Sequence, residues 1–312
     1  MTSDSPRRAW RRVDGILLLD KPAGASSNAV LQRARRLYRA EKAGHGGTLD
    51  PLATGLLPVC FGEATKFVQS LLDAPKRYRA TMRFGESTTT GDAEGQPLLR
   101  APVTFDRPAL ADALTRFTGT IAQRPPLYSA LKRDGRAYYE YARAGVDIER
   151  TPREVHVMAL RLVDWSPPDA VVDIECSKGT YVRVLAEDIA TALGSAAHLV
   201  ALRRTATAGL ALERAVTLDA LEALDEPGRD ALLLAPDAAL GAFPPLALDA
   251  GLREALVCGR RPRHPAAPGR YRAYGPDGFV GVVDATGDEL RAVRLIAIAP
   301  QRAESTSAQR TE

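Results

Sequence analysis

No stretch of this chain restricts its backbone more than Ala43-Gly44-His45-Gly46-Gly47-Thr48-Leu49-Asp50-Pro51, where three glycines and a proline bracket one carboxylate. Glycine opens backbone conformations closed to other residues and proline fixes a torsion, so the segment forms a tight loop with Asp50 near its end. Taken alone, Asp-Pro is ordinary turn chemistry. A carboxylate held this rigidly also suits catalysis, and only the rest of the sequence can decide between the two.

The flanks alternate strands and helices. Ile16 to Leu19 reads as a buried strand ending at Asp20-Lys21-Pro22. Ser26 or Ser27 can cap a helix from Asn28 to Ala40, whose apolar stripe (Val30, Leu31, Ala34, Leu37, Tyr38) leaves its arginines facing solvent. Leu56 to Phe61 is a second strand and Thr65 to Leu72 a short helix. Arg77 to Phe84 alternates as a strand does, with Tyr78, Ala80, Met82 and Phe84 on one side. Pro108 to Phe117 reads as a helix and Val171 to Cys176 as a strand. A turn at Ser177-Lys178-Gly179 then leads into a helix from Thr180 to Leu193, stopped by Gly194. Arg183 therefore falls in a first helical turn.

Arg124-Pro125-Pro126 opens a loop-and-helix excursion, about 124–152, with Tyr138, Tyr139 and Tyr141 among basic residues. That interleaving fits a nucleic-acid surface or an aromatic helix face packed on a core. A helix from Leu218 to Leu234 precedes an Ala/Pro-rich linker, Ala235 to Pro245. Beyond it, a helix from Asp249 to Cys258 and short strands at Gly269–Tyr274, Phe279–Val283 and Arg291–Ile296 suggest a small β-barrel module.

Composition narrows the chemistry. At 312 residues and 45% hydrophobic, the chain can bury a large core. No run is apolar enough to span a bilayer, and the Arg-rich start resembles neither a signal peptide nor an anchor. Cys60, Cys176 and Cys258 lie far apart and are odd in number, which fits a reducing cytoplasm and offers no metal spacing. A net charge of +4 is too small by itself to argue for nucleic acid. Its distribution says more: basic residues cluster at 33–42, at 76–83 and at 124–143, while Asp219, Glu222, Asp225, Glu226 and Asp230 gather elsewhere. The four histidines show no metal spacing, no second carboxylate shares the setting of Asp50, and no Walker lysine follows the glycines.

Four polar segments stand where a plain core would not: Asp20 to Gly24, the Asp50 loop, Lys76 to Arg79, and Cys176 to Arg183. Burial alone would raise the pKa of Asp50, and an arginine paired through two hydrogen bonds would reverse that shift; Arg183 is the candidate. Tyr78 and Tyr181 can sandwich a flat substrate such as a nucleobase drawn from its stack.

Together, Leu17 to Pro22 with Gly24, Ser26, Ser27 and Asn28, Gly44-His45 through Asp50 to Gly55, Gly62 to Lys66, Lys76-Arg77-Tyr78, Pro125-Pro126 with Tyr128-Ser129-Ala130 and Lys132, Ser177 to Arg183, and Leu202-Arg203-Arg204 closely resemble the TruB-type tRNA pseudouridine synthases. The resemblance covers roughly residues 15 to 210 and, more weakly, the tail. It implies an α+β pseudouridine synthase fold with a mixed, largely antiparallel central sheet flanked by helices, and a C-terminal PUA-like module. The expected limits are 13–238 for the catalytic domain, 245–300 for the RNA-binding module, and flexible tails at 1–12 and 301–312.

The implied activity is conversion of uridine 55 in the tRNA T loop to pseudouridine, in the cytoplasm, with no metal or organic cofactor, no membrane and no obligate protein partner for a monomeric chain. By resemblance Asp50 is the catalytic aspartate, Arg183 its salt-bridge partner, and Tyr78 the ring against the flipped uracil that also removes the C5 proton. His45 stacks on the T-loop fold, Tyr181 and the backbone at Leu202 contact the uridine, and Lys21 supports the active-site loop. Asp92 falls in a tRNA-contacting segment. One departure is Gly46, where the family commonly has threonine. A non-catalytic tRNA-binding or folding module and a guide-RNA-dependent synthase are the alternatives.

Overall fold

The computed structural model describes residues 9–129 and 131–297. Ala130, most of the two expected tails and the last residues of the expected C-terminal module lie outside them. The chain divides into two compact units, Met1–Gly241 and Ala242–Glu312.

In the first unit, β1 (Gly15–Lys21) is buried along almost its whole length, as its apolar run predicts, and leads into α1 (Ser27–Tyr38), capped by the Ser26 side chain on the Ala29 amide. Then follow β2 (Ala43–His45), β3 (Thr54–Phe61), α2 (Val68–Asp73), β4 (Lys76–Phe84) and a hairpin of β5 (Glu86–Thr88) and β6 (Pro97–Arg100). Next come α3 (Arg107–Arg116), β7 (Gly119–Gln123), and the excursion with β8 (Lys132–Arg133), β9 (Arg136–Ala137) and α4 (Tyr138–Arg143). The unit continues through β10 (Arg153–Ser166), β11 (Asp169–Cys176), α5 (Val182–Ala192), β12 (Ala197–Thr207), β13 (Leu210–Ala211), α6 (Leu218–Ala223) and α7 (Glu226–Asp230).

The main sheet runs β1-β3-β12-β4-β11-β10-β7, with β2 beside β3 and β13 beside β12. Every pairing is antiparallel except β12 with β3. α3 and α5 cover one part of it through Leu110, Leu114, Leu185 and Ile189, and α1 covers another through Val30, Ala34 and Tyr38. The expected α+β architecture with a mixed, largely antiparallel sheet is therefore present.

Several expectations change. The helix expected from Leu218 to Leu234 is two short ones, because Leu224 is extended and Asp225 starts a new helix by capping Gly228 with Pro227 in its first turn. The expected linker is shorter, since Ala239 and Leu240 are buried in the first unit. Residues 9–12, expected in a flexible tail, are held: Arg11 bonds Asp230 and Trp10 lies over Arg35. The acidic residues expected to gather elsewhere face the basic helix, with ion pairs Arg33–Glu222, Arg39–Glu226 and Arg11–Asp230.

The second unit holds β14 (Pro245–Ala247), α8 (Ala250–Val257), β15 (Arg263–Gly275) and β16 (Gly278–Leu295). Among the described residues its sheet has three strands and closes into no barrel, unlike the expected module. The short strands expected after the linker merge into two long ones. β16 folds back on itself, with the Ile296 amide on the Val280 carbonyl, and Gly281 permits the approach: a Cβ there would stand 2.2 Å from the Arg294 carbonyl oxygen.

Candidate active site

The Gly-rich loop is pinned from below. The Ser27 hydroxyl bonds both the carbonyl and the amide of Leu49, at 3.0 and 2.8 Å, so the start of α1 fixes the loop just before Asp50. Lys21, fully buried at the end of β1, donates to the carbonyls of Pro22, Pro51 and Ala53 at 2.9, 3.2 and 2.7 Å. Its ammonium thus ties both ends of the Asp50–Ala53 turn. Arg204 on β12, 1% exposed, donates to the carbonyls of Leu56 and Gly47. Gly46 is explained by packing: a Cβ there would lie 2.7 Å from the buried Leu71 side chain. In this chain Leu71 fills the space that a threonine at 46 would need.

Asp50 projects from this loop toward α5, where Arg183 Nε stands 3.1 Å from its Oδ2. The arginine is 7% exposed and the Asp50 side chain 42%, so the carboxylate remains reachable while its partner is enclosed. The contact is single, not the two-bond pairing expected. The other guanidinium nitrogens donate to the carbonyls of Thr90 and Tyr128, at 2.7 and 2.9 Å. Asp92 faces the same guanidinium at 3.7 Å.

The electrostatic consequence also differs from expectation. The pKa of Asp50 is raised, chiefly by burial; Arg183 and Lys21 pull it down and Asp92 pushes it up. Part of the Asp50 side chain stays open to solvent, while protein displaces much of the solvent behind it. The arginine therefore limits the upward shift without reversing it.

Tyr78 on β4 and Tyr181, the residue before α5, both feel the Asp50 charge, and burial raises both phenols. Tyr78 is thus a neutral phenol at physiological pH, and removal of a proton by it cannot start from a standing phenolate. Gln123 holds Tyr181 by its backbone, accepting from its amide at 3.0 Å and donating to its carbonyl at 3.3 Å. Leu202, 9% exposed, sits opposite Ala80 on β4. His45 ends β2 with its Nδ1 buried and, among the described residues, without a hydrogen-bond partner, and burial lowers its pKa, so the ring is neutral. Asp92 is 3% exposed, and its Oδ1 accepts from the Thr90 hydroxyl and the Glu94 amide. Its carboxylate is occupied within the 90–94 turn.

Asp50, Arg183, Asp92, Lys21, Tyr78 and Tyr181 are therefore brought together, with His45 and Leu202 in the adjoining strands. Gln123, Thr90 and the structural part of Arg204 were missed. Gln123 carried no sequence signal, whereas Arg204 stood in the Leu202-Arg203-Arg204 motif without any indication of its burial. Among the described residues no cluster of His, Cys, Asp and Glu could hold a metal, and no helix is long and apolar enough to cross a membrane.

The family model described as "TruB family pseudouridylate synthase (N terminal domain)" matches residues 35–182, and that described as "tRNA pseudouridylate synthase B C-terminal domain" matches residues 183–240. A tRNA pseudouridine synthase B from Burkholderia mallei (strain ATCC 23344) is 54% identical, over 94% of this chain and 97% of its own length. The protein of the same name from Cupriavidus metallidurans is 51% identical, over 93% and 96%. Among solved structures, a chain of an H/ACA RNP bound to a substrate RNA containing 2'-deoxyuridine superposes with a TM-score of 0.69 at 22% identity, over 91% of this chain and 85% of that one. A chain of a Cbf5-Nop10-Gar1 complex gives 0.68 at 24%, over 95% and 90%. The two solved structures share the fold, and with family models across residues 35–240 and relatives more than half identical along nearly the whole length, this chain belongs to the TruB family of pseudouridylate synthases.

Proposed function

We propose that this chain isomerises uridine 55 in the T loop of tRNA to pseudouridine, as a single chain, with Asp50 as the catalytic carboxylate. The observation that carries the reading is the half-buried Asp50 carboxylate 3.1 Å from an enclosed Arg183, near enough to Tyr78 and Tyr181 for both phenols to feel its charge. The isomerisation breaks the N1–C1′ bond and joins C5 to C1′, and the product has the atoms of the substrate. It needs no oxidant or reductant, only a cleft that keeps the detached uracil beside its ribose.

Asp50 serves either by attack on C1′ or by removing the C2′ proton, and both need it ionised. A raised pKa makes it the better base once ionised and moves the acid limb of activity to higher pH. Tyr78 flanks the flipped base and relays the C5 proton, its oxygen accepting that proton as the phenol proton leaves to solvent. N1 of the detached base takes up one proton in return, so the proton count is unchanged. Tyr181 and the Leu202 backbone contact the uridine, His45 stacks on the T loop, Lys21 holds the loop, and Asp92 serves through Arg183.

Asp50→Asn keeps the shape and removes the charge. Mass spectrometry of T-arm RNA should show pseudouridine formation slowed by roughly 10³-fold or more, with RNA affinity little changed. Full conversion by the variant would eliminate Asp50 as the catalytic group and favour a binding or folding role for this surface. Conversion of free T-arm RNA by the wild-type chain, without any guide RNA, would exclude a guide-dependent synthase.

A further inference from the structure

Glu187 lies one helical turn after Arg183 on α5, on the same side of the helix. Both residues press on the turn that holds the arginine. A Cβ built on Gly91 would stand 2.9 Å from Glu187 Oε1 and 3.3 Å from the Arg183 Cβ, so Gly91 is the point where the two meet. Its neighbours are Thr90, whose carbonyl accepts from Arg183, and Asp92, which faces the guanidinium. Gly91 adopts φ +73°, so its lack of a side chain serves both the turn and the close approach. Among the described residues the Glu187 carboxylate has no hydrogen-bond or ion-pair partner, although it is half-buried.

We propose that Glu187 is a positioning residue for the reaction, whose carboxyl group modulates, from behind Gly91, the field that Arg183 exerts on Asp50. The inference rests on Asp50 being the catalytic carboxylate.

The charged groups facing Glu187 are Asp188 and Arg183 from its own helix, Asp92 from the 90–94 turn and Arg150 from the excursion. Burial pushes Glu187 up to about 7, and Asp188 and Asp92 act in the same direction, while Arg183 and Arg150 oppose them. Below that pH two carboxylates, Asp50 and Asp92, share the guanidinium. Above it a third negative charge joins them, and an ionised Asp50 becomes less stable relative to the state in which it has given up its charge to the sugar or taken a proton. The chemical step therefore quickens as Glu187 ionises.

Single-turnover rates on T-arm RNA, measured across pH, test this. In the wild type the rate should rise a second time, by roughly threefold, near pH 7, above the acid limb set by Asp50. Glu187→Gln, an isosteric copy of the protonated acid, should keep the Asp50 limb and lose the second rise. Superimposable profiles would overturn the proposal, as would a loss of the same size at every pH, which is what a merely structural side chain gives. If Asp50→Asn turns over normally, the catalytic reading itself falls, and that outcome is read separately from the Glu187 profile.

Discussion

On the outward face of β4, Arg77, Arg79 and Arg83 each meet a carboxylate directly across on β11, Glu175, Asp173 and Asp169, at 3.0, 2.7 and 2.8 Å. The inward face carries Lys76 and Tyr78 into the region of the cleft, where cations are held mainly by carbonyl oxygens. Lys76 donates to three, from Leu71, Leu72 and Ala74, Lys21 to three, and Arg204 to two. The difference is electrostatic. A carboxylate cancels the charge of an arginine; a carbonyl dipole stabilises a cation and leaves its formal charge in place. The outward face is thus close to neutral, whereas the inward one keeps a positive field that suits both an ionised Asp50 and an approaching phosphate backbone. The largest cost of that arrangement is desolvation, which lowers the Lys76 pKa to about 8.

Arg183 combines the two habits, because it faces two carboxylates, Asp50 and Asp92, and donates to two carbonyls. Arg183→Met should therefore have the largest effect after Asp50→Asn, a loss of roughly 10²-fold or more near pH 7. The sign of its pH dependence follows from the shift: Arg183 lowers the Asp50 pKa, so removing it raises that pKa further and moves the acid limb upward. Part of the lost rate should return as pH rises, in single-turnover measurements. A loss independent of pH would mean that Arg183 supplies geometry rather than field. Lys21→Met comes next. Three carbonyls lose their donor in a fully buried place, and the fold should lose about 2 kcal/mol in denaturant unfolding. Unchanged stability would show that burying this ammonium costs as much as its hydrogen bonds return.

This contrast was only partly legible in the sequence. The period-2 pattern of 77–84 separates the two faces of β4, and the apolar runs of β1 and β3 mark the sheet, because side-chain periodicity survives folding unchanged. The neutralising partners do not show in that way: Glu222 lies 189 positions from Arg33 and Asp173 94 from Arg79, so charge clusters that look free are matched by pairing across the fold. Burial of Arg204 was hidden for a similar reason, since arginine is ordinarily exposed and nothing local marks the carbonyls that receive it. At Asp50 the partner was legible and the balance of forces was not. Whether burial or an arginine wins depends on how many of the arginine's donors are spent elsewhere.

The smallest effect is the one that tests the neutral face. Arg79 is 53% exposed and Asp173 29%, and the same carboxylate also receives Arg161. Arg79→Ala leaves Asp173 with a cationic partner and strands no buried charge, so its unfolding in denaturant should match that of the wild type. Turnover of T-arm RNA should change by less than roughly twofold at about 0.15 M salt, because the pair contributes little net field at the cleft. A double-mutant cycle with Asp173→Ala isolates the pair and should give a coupling that shrinks as salt is added. If Arg79→Ala instead weakened RNA binding to the same degree as loss of an inward cation, carboxylate pairing would not neutralise that face, and the distinction between the two sides of β4 would fail.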